Sequence, residues 1–180
     1  LFPGVDVQAR LFRDYPLGAS ASHVVGYINR INLKDLELIE AKEQAANYKG
    51  TERIGKTGLE QRYEFELHGV AGYEEVEIDA GGRAVRSLSR TAPTSGNDLT
   101  LTLDTKLQEM TEKAFGDRRG ALVAIEPSTG GILAMVSTPT FDPNLFVDGI
   151  RSEDWDQLNN SPDRPMINRA LNGAYPPGST

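Results

Sequence analysis

Two nearly continuous apolar runs, separated by a short turn segment, constrain the fold of this chain more than any other feature. The runs are Ala121–Ile125 and Ile132–Val136, and Pro127-Ser128-Thr129-Gly130-Gly131 lies between them. Short apolar runs that flank a segment rich in glycine, proline and serine are typical of a β-hairpin. Because polar residues do not alternate within either run, we expect both faces of this hairpin to be covered.

A second hairpin is predicted nearer the N-terminus, and it is highly charged. Two β-rich runs flank Ala80-Gly81-Gly82, where glycine permits the positive φ that a tight turn needs. Opposite charges facing each other across the strands would stabilise this ribbon modestly. The ribbon could project towards a partner or be an ordinary solvated surface, and the sequence leaves both interpretations open. One arm is acidic (Glu74, Glu75, Glu77, Asp79) and the other is basic (Arg83, Arg86, Arg90).

Capping residues and periodicity predict helices at three places outside the segment 99–115. Asn32 followed by Asp35 indicates a helix start, and a helical stretch is expected from about Leu59 to Leu67. A short helix is expected around residues 152–158. The class is therefore α+β.

The segment 99–115 predicts a strand followed by a helix. Apolar residues alternate from Leu99 to Leu103, as in a half-buried strand. Thr105 and Gln108 then have the spacing of a capping box. The expected buried stripe of the helix consists of Leu107, Met110 and Ala114.

Composition excludes several classes of function. The net charge of −7 argues against nucleic acid or an anionic membrane surface as a partner. The chain has no cysteine, so zinc–thiolate and disulfide chemistry are excluded. Its first residues, LFPGVDVQAR, contain neither an initiator methionine nor a signal-like apolar run, so we expect a piece of a longer protein.

Ser179 is the one candidate catalytic residue. It lies in Pro177-Gly178-Ser179-Thr180, where a turn leads towards a helix, and a serine there usually serves as an N-terminal cap. In Ser-x-x-Lys acyl-transfer enzymes, the nucleophilic serine occupies the same kind of position and is followed three residues later by a lysine. That lysine would be residue 182, beyond the 180 residues of the chain.

Other chemistry-bearing residues favour structural roles. His23 and His68 are expected to pack or cap, because neither is evidently paired with a carboxylate or serine. Lys56-Thr57-Gly58 lacks the upstream glycine and strand of a phosphate loop. It also precedes Ser179, whereas the Lys-Thr-Gly triad of penicillin-recognising enzymes follows the nucleophile. We expect no cofactor and no metal.

Long motifs in the expected order resemble one family. The stretch GALVAIEPSTGGILAMVSTPTFDPN, followed by NRALNGAYPPGST, resembles the entry into the transpeptidase domain of class B penicillin-binding proteins. GKTGLEQRYEFELHGVAGYEEVEIDAGGRAVRSL is similar to their pedestal, or dimerisation, region. FPGV, HVVGYINRIN and FDPNLFVDGI are similar to the elongation-specific group of rod-shaped Gram-negative bacteria, penicillin-binding protein 2.

The resemblance implies two regions and an activity. Residues 1–96 would be a pedestal with helices and a long β-hairpin, and residues 97–180 would begin a transpeptidase domain, with TAPTSGN at the boundary. Ser179 would attack a peptidoglycan stem peptide and be acylated by β-lactams. Implied partners are a SEDS-type glycosyltransferase and a scaffold protein of the elongation complex, at the periplasmic face of the inner membrane.

Two hypotheses therefore remain open at this point. The first is a D,D-transpeptidase, of which these 180 residues alone would be inactive. The second is a non-catalytic interaction module centred on the pedestal. A serine β-lactamase or carboxypeptidase is a weaker third alternative, because β-lactamases lack the long pedestal.

Overall fold

The computed structural model describes residues 12–174 and divides them into two compact units. One unit comprises Val24–Leu103. The other is discontinuous and combines the residues up to His23 with those from Asp104 onwards. The domain boundary predicted between residues 96 and 97 divides the chain by family resemblance, whereas the two units divide it by compactness. That boundary stays a prediction.

The unit Val24–Leu103 is built from short helices and two separate antiparallel pairs. The pairs are β1 with β2 and β3 with β4. Helix α1 (Ser22–Val25) lies where the chain passes between the units. The other elements are β1 (Ile28–Arg30), α2 (Leu33–Ala41), β2 (Arg53–Gly55), α3 (Gly58–Arg62), α4 (Glu64–His68), β3 (Tyr73–Ile78) and β4 (Ala84–Thr91).

Helix α2 begins where the sequence predicts. The side-chain oxygen of Asn32 accepts a hydrogen bond from the Asp35 N–H at 3.1 Å, and the Asp35 carboxylate accepts one from the Asn32 N–H at 2.7 Å. This reciprocal capping box satisfies two backbone donors that a helix start leaves unpaired. The helix then presents Ile39 to the core of the unit, where it packs with Tyr48 and Ile54.

The helical stretch predicted from 59 to 67 is two helices rather than one. Tyr63 ends α3 and precedes α4, with φ −114° and ψ 23°. The break lets α4 bring Glu64 inward, where its carboxylate accepts hydrogen bonds from the Tyr48 hydroxyl and the Gly55 N–H, both at 2.7 Å. The helical prediction is confirmed, with an interruption at Tyr63 directly before this buried carboxylate.

Strands β3 and β4 form the predicted charged hairpin. Glu74 lies opposite Arg90 and Glu77 opposite Arg86, so acidic and basic residues face each other. The turn includes Gly82 at φ +77°. Every residue of both strands is exposed, so the ribbon has neither face covered by the described residues.

The discontinuous unit centres on one hairpin. Strands β5 and β6 pair antiparallel, with Val123 opposite Met135. The predicted hairpin is thus confirmed, as is the short helix near residue 152. The elements are α5 (Thr105–Phe115), β5 (Gly120–Ile125), β6 (Ile132–Thr138), α6 (Asn144–Val147), α7 (Ser152–Asn160) and α8 (Arg169–Asn172).

Coverage of this hairpin differs from the expectation. The β6 residues Ala134 to Thr138 are buried, and α5 packs against this strand. On β5, by contrast, Leu122, Val123 and Ile125 are 39%, 43% and 56% exposed. The prediction that both faces are covered is therefore wrong for β5, because the packing of α5 concentrates on β6.

The alternation from Leu99 to Leu103 does not produce a strand. These residues lie outside the described strands, and each described sheet contains two strands only. Alternation favours an extended backbone, but a strand also requires a hydrogen-bonded ladder with a neighbour. The next residue, Asp104, donates its N–H to the Leu133 carbonyl of β6 at 2.9 Å, but Asp104 is the cap of a helix and not part of a strand.

The start and buried face of α5 also differ from the prediction. Asp104 is the cap, since its carboxylate accepts from the Lys106 and Leu107 N–H groups at 2.9 and 3.1 Å. Met110 is 68% exposed and Ala114 is also exposed, so the predicted stripe is wrong for both. Thr105 is thus the first residue of the helix rather than its cap, so the predicted capping box is wrong, and Gln108 is buried and bonded to β6.

Candidate active site

Ser179, the predicted nucleophile, lies outside the described residues. The nearest described element is α8, and Ser179 follows Asn172 by seven positions. The described part of the candidate site is therefore the framework that holds α8 and the loop before it. Four side chains build this framework: Ser137, Asn168, Arg169 and His23.

Asn168 starts α8 and ties it to the N-terminal segment of the same unit. Its side-chain oxygen accepts from the Ala170 and Leu171 N–H groups at 3.1 and 3.2 Å. This is the bonding of a helix N-cap. The side-chain nitrogen of Asn168 also donates to the His23 carbonyl at 3.3 Å. One side chain thus both ends the loop and anchors it.

Ser137 holds the same segment from the other side. It lies near the end of β6 and is 5% exposed. Its hydroxyl donates to the Ile167 carbonyl at 3.2 Å and accepts from the Arg169 N–H at 2.9 Å. Both capacities of the buried hydroxyl are used, so the serine carries no desolvation penalty of the kind an unpaired polar group would have.

The Arg169 guanidinium organises the loop that precedes α8. It donates to the carbonyls of Asp163, Arg164 and Ile167. Arg164 adopts φ +44°, which is uncommon for a residue with a side chain. The Asp163 carboxylate in turn contacts the Arg119 guanidinium. The loop is therefore held by hydrogen bonds to its own backbone rather than by apolar packing alone.

His23 packs within this framework, as the sequence predicts. Its ring meets the Phe141 ring edge-on, with 5.2 Å between centroids and 87° between planes. Burial lowers the pKa of His23 below its ordinary 6.5 and outweighs the opposing effect of the Pro139 and Pro165 carbonyls, while the Arg169 charge lowers it slightly further. The neutral ring is thus the favoured form in the folded protein.

His68 and Lys56 also have structural roles. The His68 ring stacks on Tyr48, with centroids 4.1 Å apart and planes at 17°, and its Nε2 lies 3.1 Å from the Thr51 hydroxyl. The Lys56 ammonium contacts the Asp35 carboxylate, and both side chains are mostly buried. These contacts give both His68 and Lys56 structural roles within the unit Val24–Leu103.

Two other features, a metal-binding cluster and a membrane-spanning helix, are absent from residues 12–174. Within that range no group of three or more histidine or carboxylate side chains could hold a metal ion. Nor does any helix there combine the length and apolarity needed to cross a membrane.

Two family models match almost the whole chain. Residues 1–101 match the penicillin-binding protein dimerisation domain, and residues 120–180 match the penicillin-binding protein transpeptidase domain. The chain belongs to the penicillin-binding protein family. The second match includes β5, β6, α8 and the position of Ser179.

Relatives in this family share sequence along the full chain. The peptidoglycan D,D-transpeptidase MrdA of Escherichia coli is 50% identical over 179 residues, which are 99% of this chain and 28% of that protein. A crystal structure of Pseudomonas aeruginosa PBP2 in complex with WCK 5153 is 48% identical and superposes with a TM-score of 0.79, covering 95% of this chain and 33% of that one. The chain therefore spans about a third or less of the length of these relatives.

A further structural neighbour is a complex. The Helicobacter pylori assembly of PBP2 with MreC matches 93% of this chain and 30% of the neighbour, at 35% identity and a TM-score of 0.77. These matches confirm the mixed helix-and-strand class, with a dimerisation region followed by the start of a transpeptidase domain. They also confirm the resemblance to the PBP2 group.

The sequence analysis predicted neither the structural role of Ser137 nor the burial of the Gln108 side chain. Ser137 bonds to Arg169, which is 32 residues away, and Gln108 bonds to Met135, which is 27 residues away. The available signal was weak: a serine that follows five apolar residues in β6, and one glutamine on a helix. Both are buried polar residues, and such residues require hydrogen-bond partners.

Proposed function

We propose that this chain is part of a peptidoglycan D,D-transpeptidase of cell elongation, with Ser179 as its acyl-ester nucleophile. The observation that carries the proposal is the 50% identity to the D,D-transpeptidase MrdA along 99% of the chain. The match of residues 120–180 to a transpeptidase domain supports the assignment of Ser179, because the matched range contains it.

The chemistry follows from the properties of a serine hydroxyl. It is a weak nucleophile near neutral pH and needs an adjacent base, which the lysine of a Ser-x-x-Lys motif supplies. The hydroxyl oxygen attacks the carbonyl carbon of the penultimate D-alanine while the lysine takes its proton. The C–N bond to the terminal D-alanine then breaks, and the leaving amine is protonated.

The second half of the reaction reverses these steps with another amine. An amino group of a neighbouring stem peptide attacks the acyl-enzyme carbonyl, and the serine oxygen leaves as the new amide forms. A β-lactam enters the first half alone, because its ring opens onto the serine without releasing a fragment. The lysine lies on the same face of a helix as the serine because the two are three positions apart.

The location and the partners of the whole protein belong to the same proposal. A D,D-transpeptidase acts on peptidoglycan, so we place this protein at the periplasmic face of the inner membrane. A SEDS-type glycosyltransferase and an MreC-type scaffold protein are its proposed partners. The second is supported by the complex of the H. pylori neighbour with MreC.

The experiment is penicillin labelling of the full-length protein, read by intact mass and peptide mapping. We expect one adduct, on the peptide that contains Ser179 and continues through a lysine at position 182. Ser179→Ala should abolish it, whereas Ser128→Ala, in the exposed turn of the β5–β6 hairpin, should not. The 180 residues alone should stay unmodified. An adduct that survives Ser179→Ala would overturn the assignment.

A second function, partner docking by the β3–β4 hairpin, is favoured by one observation. The hairpin exposes both strands completely, including the apolar side chains of Tyr73, Ile78 and Val85 at 62–63%. Ribbons of this kind are a typical site for contacts between chains. We propose that the MreC-type partner contacts this surface in the full-length protein.

The hairpin's own ion pair allows a sharp test of docking. Glu77→Arg combined with Arg86→Glu keeps the cross-strand pair of these residues but exchanges its charges. If docking uses the charge pattern, the exchange should weaken binding of purified MreC-type partner at least about tenfold, since like charges at an interface repel. Penicillin labelling should remain unchanged. Unaltered partner affinity would exclude the hairpin charges as a docking determinant.

A further inference from the structure

Asn172-Gly173 is the one asparagine–glycine pair in the sequence, and it lies at the end of α8. Asn172 is the last residue of the helix, and both residues of the pair are exposed. Glycine lacks a Cβ, so other groups can approach its backbone nitrogen more closely than they can approach that of a residue with a side chain. The side-chain amide of the preceding asparagine is such a group.

The two ends of α8 are held differently. At the start, the Asn168 side chain caps the first turn. At the end, Leu171 is 72% exposed, and among the described residues no hydrogen bond holds the Asn172 side chain. The Gly173 N–H donates to the Arg169 carbonyl at 3.1 Å, which is a single backbone bond. A four-residue helix with an unpacked end frays, so this bond opens readily.

Other asparagine side chains are fixed by hydrogen bonds on both sides of the amide. The Asn144 side chain donates to the Tyr15 carbonyl at 2.9 Å and accepts from the Tyr15 N–H at 3.0 Å. The Asn47 side chain donates to the Gly69 carbonyl at 2.8 Å and accepts from the Ala71 N–H at 2.7 Å. An amide held in this way cannot turn towards the backbone nitrogen of the following residue.

Asn160 is a natural comparison within the same unit. It is the last residue of α7, as Asn172 is the last residue of α8, and it is also exposed. The residue after it is Ser161, whose side chain crowds the backbone nitrogen. The two asparagines therefore share their place in a helix and their exposure, and they differ in the residue that follows.

We propose that Asn172 is a site of spontaneous deamidation in the folded protein, controlled by the opening of the last turn of α8. The Gly173 backbone nitrogen attacks the side-chain carbonyl carbon of Asn172, and a succinimide ring forms. The side-chain nitrogen leaves as ammonia and takes the proton that the Gly173 nitrogen gives up. Water then adds to one of the two ring carbonyls and opens the ring to aspartate or isoaspartate. Water is the only co-reactant, and nothing is oxidised or reduced.

The reaction changes the end of α8. Both products carry a carboxylate where a neutral amide was, and a negative charge at the C-terminal end of a helix opposes the helix dipole. The isoaspartate product also inserts a methylene group into the backbone at position 172. Deamidation therefore weakens the last turn of the helix, and it adds a negative charge to a chain whose net charge is already −7.

The test is a time course of the full-length protein in mild base, followed by digestion and mass spectrometry that separates aspartate from isoaspartate. A synthetic peptide of residues 170–175, kept under the same conditions, gives the rate without the fold. We expect conversion in the protein to be within about tenfold of the peptide rate, because fraying helix ends open at almost no free-energy cost. A lower rate would mean that the bond to the Arg169 carbonyl protects Asn172, and the proposal would be overturned.

Two controls assign the reaction to this pair. Asn160 should convert at least about tenfold more slowly than Asn172 in the same digest, because Ser161 carries a side chain. Gly173→Ala should slow conversion of Asn172 by a similar factor. Gly173 has φ −70° and ψ 114°, which alanine also adopts, so this variant should fold. Equal rates at the two asparagines, or an unchanged rate in Gly173→Ala, would contradict the proposal. If Gly173→Ala does not fold, the comparison of Asn172 with Asn160 in the wild-type protein decides.

Discussion

The side chain of Gln108 pairs with Met135 as a neighbouring strand would. Its amide nitrogen donates to the Met135 carbonyl at 3.0 Å, and its amide oxygen accepts from the Met135 N–H at 2.9 Å. The amide nitrogen also donates to the Glu112 carboxylate at 2.7 Å. Helix α5 is thus joined to the buried strand β6 by polar contacts at its centre.

Replacing Gln108 should be among the most destabilising changes on α5. Gln108→Leu leaves both Met135 backbone groups without this partner in a buried setting, and we expect a loss of about 2–4 kcal/mol of unfolding free energy. Met110→Ala, on the exposed side of the same helix, should change it by less than about 0.5 kcal/mol. Chemical denaturation of both variants measures the difference. Equal effects would mean that the polar pairing contributes nothing.

Tyr48 should stabilise the other unit through the buried Glu64 carboxylate. Tyr48→Phe removes the hydroxyl that donates to Glu64 at 2.7 Å, so we expect a loss of about 1.5–3 kcal/mol at neutral pH. Tyr73→Phe, on the exposed ribbon, is the control and should be neutral. Denaturant titration of each protein tests this, and a neutral Tyr48→Phe would contradict it.

The same tyrosine should make stability fall in strong base. Burial, assisted by the hydrogen bond to Glu64, raises the pKa of Tyr48 above its ordinary 10. The folded state therefore keeps the proton more tightly than the unfolded state, and this contribution is present below pH 10 and is lost as the pH rises above it. The stability difference between wild type and Tyr48→Phe should shrink above pH 10. A difference that stays constant there would be evidence against this linkage.

His23 should produce the opposite dependence in acid. Burial lowers its pKa from the ordinary 6.5, so the folded state favours the neutral ring. Its contribution is therefore present above pH 6.5 and declines as the pH falls through the lowered value. Midpoints of unfolding for wild type and His23→Gln at pH 7.5, 6 and 5 should converge towards acid. Parallel curves would show that His23 does not titrate differently on folding.

Gly58 should tolerate no side chain. It has φ +61°, and an added Cβ would lie 2.5 Å from the Val24 carbonyl oxygen and 2.7 Å from the Gly26 nitrogen. Gly58→Ala should cost about 3 kcal/mol or more, because positive φ and a backbone clash act together. Gly82→Ala is the control at φ +77° with open space around it, and it should cost about 1 kcal/mol. Thermal unfolding of the pair distinguishes the two contributions.

Features with local causes could be predicted from the sequence. The capping box at Asn32 joins residues three positions apart, and the turn at Gly82 closes a hairpin between adjacent runs. Such contacts depend only on residues that are close together in the sequence. The motif around Ser179 is also local, which is why its family could be identified from the sequence although its geometry lies outside the described residues.

Features with distant partners could not be predicted in this way. The alternation at 99–103 favours an extended chain, but no local signal says whether a neighbouring strand is present. Met110 fits an apolar stripe as well as Leu107 does, yet the face of α5 is decided by the Gln108 pairing with Met135. Hydrogen bonds between distant segments satisfy buried polar groups, and they can therefore override the periodicity of apolar residues.

The sequence by itself determined the family, both hairpins, the start of α2 and the candidate nucleophile, since these depend on residues close together in the chain. Only the tertiary structure decided that Ser137, Asn168 and Arg169 converge on the start of α8. It also decided that β5 remains half-exposed while β6 is buried. The physical reason is the same in each case. Burial and hydrogen bonding depend on which distant segments come into contact, and local sequence patterns do not reveal those contacts.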